Sequence, residues 1–298
     1  MIQSTLYIDT LKIQVEFYNS KDQQTVTNDI CSALQTSYPF LYKSNERIYY
    51  INTHKFYTAG RKILEITTGC HTVNKRTIYY TTIEVAGLKS YDDKMDSIYH
   101  NCLIRAVAYL NTNGLDFSYT GIDVAVDILS PYKYVYAFCN KKAARISYYM
   151  IDEYQPYLTT HYIERYNHTH KHVMKRAQYY DKTVKEKHLE YAVTRFELKL
   201  QSRFFSRNEY SYGMLDTELD RYHILHFPTI REKDDALALY KANEKSIRRR
   251  DLHKLGLDKY RIVPDTNGVE DFLLELYNVY EHNLGLPIEE DEDDDFIF

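Results

Sequence analysis

Apolar residues recur along the chain with the strand period in some stretches and the helix period in others. Leu6 to Phe17 alternates apolar and polar positions closely enough for a β-strand, and Asn28–Thr36 fits a short helix with Ile30 and Leu34 on one side. From Arg47 to about Tyr91 the chain is rich in Ile, Thr, Tyr and Val and is broken by Gly60, Gly69 and Gly87, as expected of strands joined by turns. Asp92–Leu110 turns helical, with Met95, Ile98, Cys102, Ala106 and Leu110 near helical spacing and Asn111–Gly114 as its stop. A strand is predicted at Ile122–Ile128, a helix from about Pro131 to Ala144, and further strands at Val173–Thr183 and Ala192–Gln201. After Ser202 the pattern is helical, most clearly at Ala236–Leu255 and Val269–Leu284. The expected fold class is α+β: an antiparallel sheet flanked by helices, with a helix-rich C-terminal part. There is no internal repeat, and no Gly- or Ser-rich linker marks a boundary.

Three of the predicted strands carry chemistry on their polar faces. In Gly121–Ile128, alternation puts Ile122, Val124, Val126 and Ile128 on one face and Asp123, Ala125 and Asp127 on the other. Two acids on one strand face repel unless a metal cation, an arginine or a lysine sits between them. Carboxylate oxygens suit Mg²⁺ or Mn²⁺; the other reading is a solvated strand face. In Arg195–Leu200, Phe196, Leu198 and Leu200 face a core while Arg195, Glu197 and Lys199 face away, which is also what an ordinary amphipathic strand looks like. In Arg176–Lys182, Arg176, Gln178, Tyr180 and Lys182 share the polar face, with Ala177 and Tyr179 opposite. A phenol ionises near pH 10, so to act as a nucleophile it needs a neighbouring cation or a base to take its proton.

Composition limits these readings. Tyrosine occurs 32 times and tryptophan not at all, a bias that AT-rich coding alone can produce, so a tyrosine counts only where its own position supports it. Cys31, Cys70, Cys102 and Cys139 are scattered without a CxxC pair and read as reduced thiols. No signal peptide or membrane span is visible, and a cytoplasmic protein is expected. The net charge of -4 argues at first against a nucleic-acid partner. Seven of the acids, Glu289, Glu290, Asp291, Glu292, Asp293, Asp294 and Asp295, lie in the tail, so the body is mildly basic and compatible with DNA.

Five segments fall in a telling order: Ile8-Asp9-Thr10-Leu11-Lys12-Ile13, Ile83-Glu84-Val85-Ala86-Gly87, Ile122-Asp123-Val124-Ala125-Val126-Asp127, Tyr180-Asp181-Lys182 and Arg195-Phe196-Glu197-Leu198. Together they resemble the replication initiation factor (Rep_trans) family of rolling-circle plasmids and filamentous phages, which has relatives among the relaxases of conjugative elements. The resemblance covers roughly residues 5–202, and it lies in the order and separation of the segments rather than in any single motif. It implies a Rep-type antiparallel sheet presenting a nucleophilic tyrosine beside a divalent metal. Tyr180 would be that nucleophile, with Tyr179 as the alternative; Asp123, Asp127 and Glu197 would be the acids around Mg²⁺ or Mn²⁺. Lys182 and Arg195 would bind phosphate or stabilise developing charge. The implied reaction is nicking of a replication origin, extruded as a hairpin or single strand, through a 5′-phosphotyrosine that leaves a free 3′-hydroxyl. One departure stands out. Nickases of the wider group carry two histidines separated by a bulky apolar residue, whereas His168-Thr169-His170-Lys171-His172 has polar residues between its histidines.

On this reading residues 1–202 form the nicking domain, 203–286 a helical DNA-binding or accessory region, and 287–298 an acidic tail. Lys245, Arg248, Arg249, Arg250 and Lys254 form the densest basic cluster and, with Arg176 and Arg195, are the candidates for DNA phosphates; an ordinary charged helix face is the alternative for the cluster. The acidic run ending in Phe296-Ile297-Phe298 is similar to the tails of bacterial single-strand-binding proteins, and it would dock a host helicase or other replication protein, fold back on the DNA site, or simply solubilise the chain. A homodimer stays open as the assembly. Two other functions compete: a relaxase of a conjugative element with the same chemistry, and a non-catalytic DNA-binding protein. The last requires Tyr180 to lie far from Asp123, Asp127 and Glu197, or in a core.

Overall fold

Leu11, Ile13, Val15 and Phe17 stand at alternate positions and are all buried, so the first strand enters the core as its sequence pattern requires. The computed structural model describes residues 3–37, 41–47, 51–58, 60–89, 93–139, 148–151, 159–163, 175–186, 189–242 and 249–284. In chain order the first elements are β1 (Ser4–Phe17), α1 (Ser20–Ser37), β2 (Leu41–Arg47), β3 (Ile51–Thr58), β4 (Arg61–Val73), β5 (Arg76–Ala86) and α2 (Asp93–Thr112). Next come β6 (Ser118–Ile128), β7 (Val135–Cys139), β8 (Tyr148–Ile151), β9 (Thr159–Tyr162), β10 (Lys175–Asp181), α3 (Lys182–Lys185), β11 (Thr194–Leu200) and α4 (Ser202–Phe205). The last are α5 (Met214–Leu219), β12 (Tyr222–His226), α6 (Ile230–Ala242), α7 (Arg249–Lys254), β13 (Arg261–Ile262) and α8 (Asn267–Glu275). The expected α+β class with a large antiparallel sheet and flanking helices is what the chain forms. Among the described residues no helix is long and apolar enough to cross a membrane.

The chain divides into two compact units. The first comprises Met1–Ile13, Gly87–Lys89 and Ser118–Leu273, and the second Gln14–Ala86, Ser90–Phe117 and Leu274–Phe298. No division falls at residue 202, since the first unit runs on through β12 and α6.

In the first unit the strands follow the order β1-β6-β11-β10-β9-β8, and β13-β12-β7 form a smaller sheet. β11 pairs antiparallel with β6 on one side and β10 on the other. Ile122, Val124, Val126, Phe196, Leu198 and Tyr179 are buried on one face of these strands. The small sheet packs there, with Phe196 against Tyr222 at 5.5 Å between ring centroids and Tyr136 edge-on to Tyr179 at 6.3 Å. The opposite face is left for Asp123, Asp127, Tyr180, Arg195, Glu197 and Lys199.

In the second unit, α1 and α2 pack on each other and on β4 and β5. Asn19 caps α1 by accepting from the Asp22 N–H at 2.8 Å, which starts the helix earlier than its apolar spacing suggested. Gln23 then donates to the Gly69 and Tyr80 carbonyls at 2.9 and 2.6 Å, and Thr27 meets Thr81 at 2.9 Å, so polar groups as well as Ile30 and Leu34 seat the helix.

Two expectations are corrected. The helix predicted from Pro131 to Ala144 is instead a 3-10 turn at Tyr132–Tyr134 followed by β7. Val135, Tyr136 and Phe138 favour an extended chain, and β12 offers them a partner in register, Val135 opposite His226 through Cys139 opposite Tyr222. The region after Ser202 is not uniformly helical, because β12 and β13 interrupt it. The helix expected over Ala236–Leu255 starts at Ile230, where Thr229 and Glu232 form a reciprocal cap (3.2 and 3.0 Å), and a second helix follows at Arg249–Lys254.

Gly87 fixes the start of β1 from within the same unit. It adopts a left-handed conformation (φ 79°), and the N–H groups of Gly87 and Leu88 both donate to the Asp9 carbonyl at 2.7 and 3.1 Å. Gly87→Ala should therefore lower stability by about 1–2 kcal/mol, read as a lower urea midpoint at unchanged slope.

Candidate active site

Antiparallel pairing decides which side chains meet. β10 against β11 sets Gln178 opposite Glu197 and Tyr180 opposite Arg195; β11 against β6 sets Arg195 opposite Asp127 and Lys199 opposite Asp123. Because alternation is strict, the polar residues of all three strands share one face. β1, next to β6 in the sheet, adds Tyr7 and Asp9.

Arg195 is at the centre and is only 1% exposed. Its Nε and Nη2 donate to the two Asp127 oxygens at 2.8 and 3.2 Å, its Nη1 donates to Asp9 Oδ1 at 2.9 Å, and its Nη2 also donates to the Tyr7 hydroxyl. Tyr7 Oη donates in turn to Asp127 Oδ2 at 2.6 Å. Lys199 is the second cation, 3.0 Å from Asp123 Oδ2 and 3.3 Å from Glu197 Oε2. Burial would discharge this lysine, but Glu197 and Asp123 hold its pKa above the usual range.

Tyr180 Oη donates to Glu197 Oε1, and Gln178 Nε2 donates to Glu197 Oε2 at 2.7 Å. Gln178 Oε1 is buried without a hydrogen-bond partner, which leaves an open acceptor beside Glu197. Tyr180 is 3% exposed, and burial together with the Glu197 charge drives its phenol pKa up. Glu197 moves the other way: burial pushes its pKa up, but Lys199, the Tyr180 hydrogen bond and Arg195 together bring it down to about 2. Burial first, and Glu197 second, raise the Asp9 carboxyl; burial likewise raises Asp123 against the pull of Lys199. At rest the face therefore holds a charged Glu197 and a protonated Tyr180.

Tyr180, Arg195, Glu197, Asp123 and Asp127 thus lie on the polar faces that alternation gave them, and strand pairing brings those faces together. Tyr179 goes to the other face, where its hydroxyl meets His161 Nδ1 at 2.7 Å among Tyr132 and Tyr136. Lys182 leaves the strand. Asp181 ends β10 and caps α3 through the Val184 N–H at 3.3 Å, and Lys182 pairs with Glu186 at 3.0 Å. Burial and the nearby Arg195 hold the Lys182 pKa below the usual range. Lys185, from the same turn, lies over the Tyr180 ring at 5.1 Å. Tyr7 and Asp9 were missed, although a tyrosine and an acid at alternate positions on the face that continues into Leu11 and Ile13 were a visible signal. The side chains of Arg176, Arg249 and Arg250, the residues Lys245 and Arg248, the 168–172 histidines and the acidic tail lie outside the described residues.

The oxygen donors of this face suit Mg²⁺ or Mn²⁺ by type, but their placement does not fit a ligand shell. Asp127 is engaged by Arg195 and Tyr7, Asp123 by Lys199, and Glu197 by Tyr180, Gln178 and Lys199. Among the described residues, no three His, Cys, Asp or Glu side chains are grouped so as to hold a metal ion. The repulsion between Asp123 and Asp127 is relieved by a lysine and an arginine.

Two stability effects follow. Arg195→Met leaves Asp127 and Asp9 buried without their cation and should cost about 3–5 kcal/mol in urea unfolding, with part regained when both acids become Asn. Glu197, held at about 2 against an ordinary 4.5, stabilises the fold fully above pH 4.5, and that contribution is lost as pH falls towards 2. Asp9 and Asp123, with raised pKa values, act in the opposite sense, losing stability as pH rises through their range. Glu197→Gln should therefore show a shallower fall of the urea midpoint than the parent between pH 4.5 and 2.

No protein-family model matches the chain, and no curated protein is found similar to it. Among solved structures the chain is similar to the rolling circle replication initiator protein from Geobacillus stearothermophilus, at 15% identity over 75% of this chain and 87% of that one, with a TM-score of 0.42. A likeness that loose carries no argument about chemistry, so any functional reading rests on the five ordered segments and on the geometry of this face.

Proposed function

We propose that this face nicks DNA and transfers the cut strand to start rolling-circle replication, with Tyr180 as nucleophile. The observation that carries the proposal is the hydrogen bond from Tyr180 Oη to Glu197, made beside Arg195 and Lys199 on one sheet face. A phenol, a carboxylate to take its proton and two cations for a phosphate are what tyrosine attack on a phosphodiester needs. The order of the five segments selects DNA as the substrate.

At rest the pair is poised but inactive, because a carboxylate near pKa 2 is a poor base for a phenol whose own pKa is raised. An arriving phosphate changes this. As Lys199 turns to the phosphate it releases Glu197, and burial then raises the basicity of that carboxylate. Tyr180 Oη attacks phosphorus as Glu197 takes its proton. The P–O3′ bond breaks, the 3′-oxygen is protonated from water as Glu197 gives up the phenol proton, and the strand keeps a 3′-hydroxyl that can prime synthesis while its 5′-phosphate stays on Tyr180. Arg195 steadies the charge on the phosphoryl oxygens, and Lys185, above the Tyr180 ring, is placed to meet the entering strand.

The test uses a supercoiled plasmid carrying the DNA that encodes the chain with its flanking sequence, incubated with the full chain and Mg²⁺, Mn²⁺ or EDTA. The expected product is relaxed plasmid with a covalent adduct that peptide mapping finds on Tyr180. Tyr180→Phe should nick at least about a hundredfold more slowly, while Tyr179→Phe should keep the adduct. Equal nicking by Tyr180→Phe sinks the assignment and favours the non-catalytic reading that the burial of Tyr180 would otherwise support. The EDTA arm reports whether the reaction depends on an ion at this face.

A further inference from the structure

We infer that Tyr7 is a second nucleophile on the same face, able to take a second strand end while Tyr180 still carries the first. The inference rests on the nicking reading and adds to it a residue and a second cut.

Tyr7 is equipped much as Tyr180 is. Its hydroxyl donates to Asp127 Oδ2 at 2.6 Å and accepts from Arg195 Nη2, so a proton acceptor and a cation both touch the same oxygen. The guanidinium also lies over the Tyr7 ring, 5.2 Å from its centroid. Arg195 links the two phenols, because its Nη1 is 3.9 Å from the Glu197 oxygen that receives the Tyr180 hydrogen bond. Two phenol–carboxylate pairs, Tyr7–Asp127 and Tyr180–Glu197, therefore flank one buried cation. Tyr7 is part-exposed where Tyr180 is buried, so its hydroxyl is the more open of the two to a second strand.

The step balances without a co-reactant. Tyr7 Oη attacks phosphorus and Asp127 takes the phenol proton; the P–Oη bond forms and the P–O3′ bond breaks. The departing 3′-oxygen takes a proton from water and Asp127 returns the phenol proton to water, so the carboxylate is restored and the phenol proton has in effect passed to the 3′-hydroxyl. The value of a second phenol is topological. A single covalent tyrosine holds one strand end, and releasing a closed circle needs another cut before that end is resealed. A second phenol on the same cation lets one chain make both.

Tyr7 could instead serve only to hold Arg195, and adduct mapping separates the two roles. Once the plasmid nick has been mapped, an oligonucleotide spanning it is incubated in excess with the full chain, and products are read by intact mass and peptide sequencing. Chains carrying two nucleotidyl groups, one on Tyr180 and one on Tyr7, are expected, and Tyr7→Phe should reduce the count to one. The slow residual adduct of Tyr180→Phe should map to Tyr7. A saturated parent chain with a single adduct, on Tyr180, overturns the role of Tyr7 and leaves the nicking reading standing. Absence of any adduct on the parent chain overturns both. The count on the parent chain decides the matter even if Tyr7→Phe does not fold.

Discussion

A guanidinium buried among carboxylates is the interaction on which the rest of this face depends. Taking Arg195 out of water costs several kcal/mol, and its donors recover that only because Asp127, Asp9 and Tyr7 accept them in good geometry. Those acceptors come from β6 and β1, while Arg195 comes from β11. The pairing register of these strands is therefore fixed by charge as well as by the apolar side. A slip of one residue would send Arg195 into the layer that holds Phe196 and Tyr222, and would turn Val126 or Ile128 towards the acids. Register, charge balance and the position of Tyr180 are one constraint seen three ways.

Strand alternation made most of this face legible in the sequence. Asp123, Ala125 and Asp127, then Gln178 and Tyr180, then Arg195, Glu197 and Lys199 could each be assigned to a polar face from period alone. What alternation could not supply was the order of strands, and so which cation answers which acid. Period alone does not say which cations answer Asp123 and Asp127; the two found beside them, Lys199 and Arg195, come from 68 or more residues away. Tyr7 and Asp9 stand at alternate positions of a strand whose other residues read as hydrophobic, so the period shows that they share a face but not that this face meets Arg195. Lys182 was placed on the strand because its parity fits, but Asp181 caps a helical turn and takes the lysine off the ladder. β7 was read as a helix for a related reason. Its residues lean towards an extended chain, but a strand needs a partner, and β12 is more than eighty residues further on.

The protonation pattern gives the face a resting state. Four carboxylates, Asp9, Asp123, Asp127 and Glu197, face two central cations, so the acids compete for charge compensation. Glu197 wins, since Lys199, Tyr180 and Arg195 all favour its ionised form, whereas burial works against Asp9 and Asp123. Any anion that draws Lys199 away alters the basicity of the acids left behind. On the proposed reading this makes the strand being cut part of the switch: without it, Tyr180 keeps its proton and Glu197 is too weak a base to remove it.

The same reasoning bears on why such a site sits on strands rather than loops. A nucleophile that must stay inert until a phosphate arrives needs partners that do not drift, because a small displacement of Glu197 from Tyr180 would remove its proton acceptor. Ladder hydrogen bonds on both sides of β11 hold Arg195, Glu197 and Lys199 at fixed spacing, and the small sheet packed behind Phe196 prevents the strand from rotating. The mobile parts of the chemistry are then confined to the ends of long side chains. Lys199 and Lys185 can swing towards an incoming phosphate while the backbone stays in place. Arg195, held by Asp127, Asp9 and Tyr7, cannot swing; on the proposed reading it can only share its charge with whichever phenol reacts. That rigidity, on the same proposed reading, lets one guanidinium serve Tyr180 and Tyr7 alike, so that losing it would undo the fold and the chemistry together.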